Sequence, residues 1–444
     1  MFGQANSGGN QVKNINKELH VLFDELRGTM EVDHIVELLV LTAFIAKLEP
    51  STLETLNSAK EDDAYQQLND VAATTKQKFP KLNSGLFEVP QEHRVYKKGL
   101  HPVVQFVQTL SENNAFSDFV LVLGELKRLK SRISDIADSA NASTSALFKA
   151  LVGNCEGKTL FDGACGLAKI ASDLNPKTGY LNEINTDVAI MAERLLILSN
   201  REQFVVHNAN SLMESHGDDQ KKVDIVVMEP PLALKFSADQ RRLLTKADYL
   251  LVDPGSSVPA SAGDVLWVQL ALSRLNNEGK AYLLLPQGWL FRGGYDGKVR
   301  KKLLELDVVD AIIALPPQLL EFTSIPPAIV VLNKRKEKQG VVHFVDASDF
   351  GVSARMLREV SSEDAKAIAE LAGGNSPEDK CFRAVYREEI TSNDNVLNVK
   401  RYISTKVEAA KVDLKEELLK LDGVKQQYAE SQRVLEGLLE SLGF

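Results

Sequence analysis

Between positions 158 and 346 short apolar, β-rich runs alternate with helical ones, and few architectures satisfy that alternation. The runs are 159–161, 179–182, 204–207, 224–228, 281–285, 308–314 and 328–332. Strand, helix, strand in repetition predicts an α/β fold with a doubly wound, mostly parallel sheet. Parallel neighbours need a crossover, and the crossover helices cover both faces. In such sheets a ligand sits beyond the carboxyl ends of the strands, so the residues that end each run matter most.

The first run leads into Asp162-Gly163-Ala164-Cys165-Gly166, a tight glycine-containing turn followed by a helical run at 167–174. Such a turn lets backbone N–H groups approach a ligand. Glu183 ends the second run, 21 residues after Asp162. A carboxylate there can accept both ribose hydroxyls of an adenosine cofactor, although a glycine turn plus a distant acid is common in α/β proteins. The third run is followed by Asn210, which either bonds an adenine amino group or caps a turn, and both readings stand. The fourth ends in Glu229-Pro230-Pro231-Leu232. Two prolines fix the backbone and remove two donors, so the chain leaves the sheet there with its carbonyls free.

At 444 residues the chain predicts two or three domains. Its 44% hydrophobic and 25% charged residues suit a globular protein. No apolar run approaches a bilayer span, and the polar, Gly/Asn-rich stretch 1–11 lacks the form of a secretory signal, so a cytoplasmic protein without membrane contact is expected. Cys155, Cys165 and Cys381 show no metal-clip or disulfide spacing and the seven histidines are scattered, so no metal is expected. A formal charge of −9 opposes a broad grip on phosphates, because that affinity comes from Lys and Arg. Any nucleic-acid contact therefore calls for a partner.

Helical periodicity covers 15–50, 103–110 and 116–136, and the Ser/Asn/Ala-rich stretch 138–145 reads as a linker. The expected organisation is a helical domain over 1–140, the α/β domain over 141–346, a mixed extension over 347–400 and a helical tail over 401–444. In the tail Val407, Leu414, Leu421, Tyr428, Leu435 and Leu442 recur every seven residues, with Ala410, Val424 and Leu438 offset by three. That seam belongs either to an amphipathic helix folded on its own domain or to a coiled coil, and Gly423 weakens a continuous helix.

Asp162, Glu183, Asn210 and Glu229-Pro230-Pro231 thus fall on four successive strand ends. In this the chain resembles the modification (methylation) subunit of type I restriction-modification systems, an S-adenosylmethionine-dependent, adenine-specific DNA methyltransferase. The resemblance spans nearly the whole chain. Leu22-Phe23-Asp24-Glu25-Leu26-Arg27-Gly28 is similar to the family's helical domain. Further segments follow in order: Gly279-Lys280-Ala281, Leu285-Pro286-Gln287-Gly288-Trp289-Leu290-Phe291-Arg292-Gly293-Gly294, Val299-Arg300-Lys301-Lys302-Leu303-Leu304, Ala314-Leu315-Pro316-Pro317, Phe322-Thr323-Ser324-Ile325-Pro326, Val331-Leu332-Asn333-Lys334 and Asn398-Val399-Lys400-Arg401-Tyr402-Ile403.

The resemblance implies an S-adenosylmethionine-dependent methyltransferase fold with an N-terminal helical domain and a C-terminal helical tail. Asp162, Gly163, Ala164, Cys165 and Gly166 would hold the cofactor's methionine end, Glu183 its ribose and Asn210 its adenine. Pro230-Pro231 would offer a carbonyl to the amino group of an adenine flipped from the duplex, Glu229 would accept the other hydrogen, and Leu232, the last residue of this catalytic motif, would stand where the family's aromatic face stacks the base. The implied partners are DNA, held mainly through a separate specificity subunit, a nuclease subunit, and whatever polypeptide the C-terminal helix contacts.

The motifs also depart from the family. Glu229 and Leu232 stand where it has Asn or Asp and Phe or Tyr. Asp-Gly-Ala-Cys-Gly-Leu-Ala replaces Asp-Pro-Ala-Cys-Gly-Ser-Gly, so Leu167 and Ala168 carry side chains where backbone should meet cofactor. Asn210 replaces an acid, and Ser143-Thr144-Ser145 stands for a Thr-Pro segment. These changes leave open an alternative, a catalytically inactive methyltransferase-like scaffold subunit of a DNA-defence complex. An unrelated nucleotide-binding α/β domain is disfavoured by the long collinear series.

Overall fold

The computed structural model describes residues 7–90, 99–125, 141–213, 221–321, 323–354, 357–374, 377, 380–403 and 414–441. Six helices come first: α1 (Ser7–Leu26), α2 (Val32–Leu48), α3 (Thr52–Asn57), α4 (Ala64–Lys78), α5 (Leu100–Glu112) and α6 (Phe116–Glu125). Helix α2 is apolar nearly all round, and a helix of that kind must be surrounded. Its residues from Leu38 to Ala46 are buried, and α1 lays Ile15, Leu19, Leu22 and Leu26 into the same core at three- and four-residue intervals.

Next come α7 (Ala142–Val152), β1 (Thr159–Asp162), α8 (Lys169–Leu174), β2 (Thr178–Glu183), α9 (Thr186–Leu198), β3 (Phe204–Asn208), β4 (Val223–Met228), α10 (Ala238–Leu244), α11 (Gly263–Arg274) and β5 (Leu275–Pro286). They are followed by α12 (Gly294–Glu305), β6 (Val309–Ala314), β7 (Pro327–Asn333), β8 (Val341–Asp346), β9 (Val352–Ala354), β10 (Leu357–Glu359), α13 (Ser362–Ala372), β11 (Phe382–Tyr386), α14 (Arg387–Ser392) and α15 (Leu414–Ser441). Nine strands form one sheet in the order β11-β8-β6-β7-β5-β4-β1-β2-β3. All pairings are parallel except those of β7 with β5 and β6 and of β11 with β8. A parallel β7 would need a crossover, and the described residues between β6 and β7 contain no helix to make one.

Alternation along the central strands serves two cores. In β5, Ala281, Leu283 and Leu285 face the core built with α10, α11, α12 and α14, whereas Tyr282 and Leu284 face the one built with α7, α8, α9 and α13. The helical bundle joins this body through α9, whose Ile197 and Leu198 belong to the bundle's core. Arg194 of α9 is buried, and its guanidinium donates to the carbonyls of Leu86 at 3.0 Å and Glu88 at 2.9 Å. The buried Leu86 carbonyl is thereby satisfied.

Three features differ from the sequence reading. The stretch 138–145 is not a linker at its end, because the Asn141 side chain accepts the N–H of Thr144 at 2.9 Å and starts α7 at Ala142; residues 138–140 lie outside the described ones. The segment read as a mixed extension is built into the sheet. Its β11 pairs with β8, Phe382 opposite Val345, and the N–H of Val360 donates to Ser143 Oγ of α7 at 3.0 Å. In the tail, α15 runs without a break through Gly423, and Leu421, Val424, Tyr428 and Leu435 are all exposed. Val407, Ala410 and Leu442 lie outside the described residues. Among the described residues, no helix is long and apolar enough to cross a membrane.

Gly179 in β2 sits opposite Phe204 in β3, and a Cβ there would lie 2.1 Å from the phenyl ring. Gly179→Ala should therefore destabilise the protein by about 1–3 kcal/mol, the usual cost of overpacking. Urea unfolding checks this, and Phe204→Leu in the same chain should restore more than half of the loss.

Candidate active site at the carboxyl ends of β1, β2 and β4

Strand order reverses between β1 and β4, since the chain winds outward from β1 to β3 and resumes on the other side with β4. Reversal sends the flanking connections apart and leaves a crevice above the two strand ends. Asp162 closes β1 at that crevice. Its carboxylate is buried and accepts the N–H of Ala164 at 3.0 Å, which folds the following residues back over the strand. The Cys165 N–H then donates to the Asn182 carbonyl at 3.0 Å and ties the turn to β2. Gly166 and Ala168 take left-handed backbones, φ +52° and +61°. For alanine that conformation costs about 1 kcal/mol or more, and the Ala168 methyl is fully buried.

Glu183 at the end of β2 reaches the same turn. One of its oxygens accepts the N–H of Gly166 at 3.1 Å and the other that of Asn185 at 2.8 Å. A second tie comes from residues that the sequence reading passed over: Asn182 Nδ2 donates to Ser211 Oγ at 2.9 Å, and Ser211 Oγ donates to the Gly163 carbonyl at 2.7 Å. Both side chains are buried. The available signal was the polar Asn182 inside an otherwise apolar strand. Gly163 has little spare room, since a Cβ would stand 3.2 Å from Met228 Cε and Phe161 Cε1 and 3.3 Å from Ser211 Oγ. The ends of β1, β3 and β4 meet at this one residue.

Asn210 lies beyond the end of β3, half-buried, and its Oδ1 accepts the N–H of Leu212 at 3.1 Å, the geometry of a turn-forming Asn. Ser143, Thr144 and Ser145 are buried in the first turn of α7, where Ser145 Oγ donates to Asp173. Glu229 follows β4 and is half-buried, Pro230 is buried and Pro231 is exposed. Leu232 packs against the core shared by α7, α8 and α13, so this side chain is engaged in packing within its own domain. After it the chain turns through Ala233 with φ +54°. Asp162 to Gly166, Glu183 and the 229–232 turn are thus brought to one rim, with Asn210 at its β3 side.

The crevice is electronegative. Burial pushes the Asp162 carboxyl up to about 7, the Ala164 N–H opposes the rise, and the Glu183 charge adds to it. Burial, with the Asp162 and Glu183 charges adding, raises the Cys165 thiol well above its usual range, so it stays protonated and unsuited to nucleophilic work. No group of three His, Cys, Asp or Glu that could hold a metal occurs among the described residues.

A family model described as N-6 DNA methylase matches residues 126–411. The chain is similar to the type I restriction enzyme MjaVIII methylase subunit of Methanocaldococcus jannaschii, 30% identical over 67% of this chain and 55% of that one. It is also similar to the MpnII methylase subunit of Mycoplasma pneumoniae, 27% identical over 58% of this chain and 50% of the relative. The chain therefore spans about half the length of these curated relatives. Its fold matches the crystal structure of a type I restriction-modification methyltransferase subunit from Streptococcus thermophilus, with a TM-score of 0.71 and 21% identity, covering 89% of this chain and all of that one. The methyltransferase-type sheet and helical N-terminal region expected from the sequence are therefore present.

Asp162 yields a pH prediction. Its folded value of about 7 lies above the roughly 3.9 of an unfolded Asp, so between the two the folded protein holds a proton that the unfolded chain has lost. Stability falls as pH rises through that window, and the penalty is complete above about pH 7. Asp162→Asn keeps the acceptor for Ala164 and removes the titration. It should stabilise the protein by on the order of 2 kcal/mol at pH 8 and progressively less towards pH 5, as urea midpoints will report.

Proposed function

The chain belongs to the N-6 DNA methylase family, and on that footing we propose that it is the modification subunit of a type I-like restriction-modification complex. Its reaction is methyl transfer from S-adenosylmethionine to the exocyclic amino group of adenine in DNA, carried out in the cytoplasm. The observation that carries this reading is the convergence of the Asp162–Gly166 turn, Glu183 and Glu229-Pro230-Pro231 on one crevice at the reversal of strand order.

The residues present fit this cofactor. Asp162 is a buried carboxyl that accepts a single N–H, and a cation bound beside it and Glu183 would favour its ionised form. Bound there, S-adenosylmethionine supplies a methyl group on a cationic sulfur. The glycine turn leaves room for a ligand beside the backbone, and Glu183 oxygens, each already holding one N–H, retain lone pairs for ribose hydroxyls.

Around the target base, Glu229 accepts one amino hydrogen and the Pro230-Pro231 segment presents a carbonyl to the other. The nitrogen lone pair is thereby directed along the line of transfer, a positioning and electrostatic role. Glu in place of a shorter acceptor moves that oxygen one methylene outward. Leu232 supplies an apolar border without the aromatic face that stacks a base, a contribution of about 1–3 kcal/mol where it exists.

Sequence recognition is assigned to a separate specificity subunit, and the seam of α15 to the contact with it. The exposed Leu421, Val424, Tyr428 and Leu435 support this assignment, because each large side chain removed from water contributes about 1.5–3 kcal/mol. The names of both curated relatives describe methylase subunits of type I restriction enzymes, and a nuclease subunit would complete such an assembly.

Three measurements test these assignments. By calorimetry, Glu183→Ala should weaken S-adenosylmethionine binding by about 1.5–3 kcal/mol, the loss of a charge-assisted hydrogen bond. With the specificity partner present, Glu229→Ala should lower methyl incorporation at least about 100-fold while cofactor affinity holds; equal incorporation by wild type and variant would reject the catalytic assignment, and none by either would favour the inactive scaffold. Replacing Leu421 and Leu435 together by Asp should abolish co-purification with the specificity subunit while a chain ending at residue 405 still folds.

A further inference from the structure

The end of the sheet opposite the crevice carries a cavity of its own. β7 runs antiparallel to β5 and β6, and β11 to β8, so the carboxyl ends of β7 and β11 emerge among the amino ends of the parallel strands. Lys334-Arg335-Lys336 follow β7 there, and Arg387 follows β11. Together with the turns at 306–307, before β6, and 339–340, before β8, they line a cavity of about 630 Å³. Sites for small molecules usually measure about 300–1,000 Å³.

The walls are tied to one another. Asp307 accepts Lys336 Nζ and the Gly340 N–H, each at 2.8 Å. The Gly340 carbonyl in turn accepts the Arg387 N–H at 2.8 Å. Three turns therefore meet at Gly340, whose left-handed backbone, φ +70°, suits a glycine. The cavity is shaped before a ligand arrives, so binding need not order the chain.

Its lining is cationic although the chain carries a net charge of −9: Lys334, Arg335, Lys336 and Arg387 stand against Asp307 and Glu388. Asp307 is committed to Lys336, whose side chain is 2% exposed. The other three cations remain available. Arg335 pairs with Glu278 through side chains that are 72% and 69% exposed, and such a pair exchanges partners at little cost. Lys334 Nζ rests on the Leu275 carbonyl at 2.7 Å, and Lys222 rests on the Ser273 carbonyl two residues earlier. Burial, with the Lys222 charge adding to it, holds the Lys334 ammonium below its usual range, and an anion beside it would offset both effects. Arg387 makes no side-chain hydrogen bond or ion pair among the described residues. Two guanidinium forks and an ammonium match the oxygens of a phosphate. Tyr386 and Leu306 line the same cavity and are exposed, which adds an aromatic face and an aliphatic surface to the cations.

We propose that this cavity binds a free nucleotide, with its phosphates on Lys334, Arg335 and Arg387 and its base against Tyr386 and Leu306. The inference stands apart from methyl transfer, and its test reads binding alone.

Calorimetry on the full chain uses uridine diphosphate, which lacks the adenine assigned to the cofactor crevice. Wild type should bind it with a Kd at or below about 1 mM. Arg387→Gln and, separately, the exposed Arg335→Gln should each weaken binding about tenfold, with urea midpoints unchanged. Tyr386→Ser should weaken uridine diphosphate about fivefold and leave pyrophosphate unaffected, since only the nucleotide has a base to stack. Glu183→Ala, in the crevice, should leave uridine diphosphate binding unchanged. Absence of binding by wild type at about 5 mM ligand overturns the proposal, and so does a loss caused by Glu183→Ala but by neither arginine variant. Pyrophosphate bound as tightly as uridine diphosphate would reduce the cavity to an anion site, and tighter binding of a single-stranded oligothymidylate would assign it to a nucleic-acid strand. Either result overturns the assignment to a free nucleotide.

Discussion

Gly163 is where the architecture and the site become the same thing. Its carbonyl accepts Ser211 from beyond β3, and the place of its missing Cβ is walled by Met228 of β4 and Phe161 of β1. Asn182 of β2 completes the tie through Ser211. Four strand ends are thereby held around one backbone position, and the crevice at the reversal of strand order acquires a fixed floor. Buried polar ties of this sort are effective only when every member is satisfied, and here Asn182, Ser211 and the Gly163 carbonyl form a continuous run.

Much of this was legible because its causes are local. Strand-helix alternation predicted the doubly wound sheet, and the residues ending each run marked the rim, because a parallel sheet presents all its carboxyl ends on one side. What escaped was non-local. The membership of β11 in the sheet depends on an antiparallel edge pairing that leaves no periodic signature of its own, and the opening of α7 looked like a linker because Ser, Thr and Asn serve capping and turns alike. Ser211 and Asp264 read as ordinary surface-type residues, and only the tertiary fold buries them, Ser211 against the Gly163 carbonyl and Asp264 beside Arg292.

The departures from the family's motifs can be weighed in the same terms. Ala168 holds a left-handed backbone, φ +61°, which costs alanine about 1 kcal/mol that a glycine would be spared. Leu232 differs in kind: its side chain packs on the domain core, and in the proposed site it offers a base an apolar border without an aromatic face. The first is a strain that the fold absorbs, and the second bears only on the proposed contact with a base.

Charge divides the work in the proposed complex. A crevice holding the Asp162 and Glu183 carboxylates suits a cationic cofactor, and the same carboxylates, on a chain of net charge −9, repel a phosphate backbone. No local rearrangement resolves that conflict, because neutralising the crevice would weaken the cofactor while leaving it anionic opposes the DNA. Placing the phosphate-binding cations on a second polypeptide resolves it, since DNA can then be delivered to Glu229 by a surface that need not share the crevice's charge. The cost is a permanent protein contact, and the exposed apolar seam of α15 is where this chain has the surface to make one.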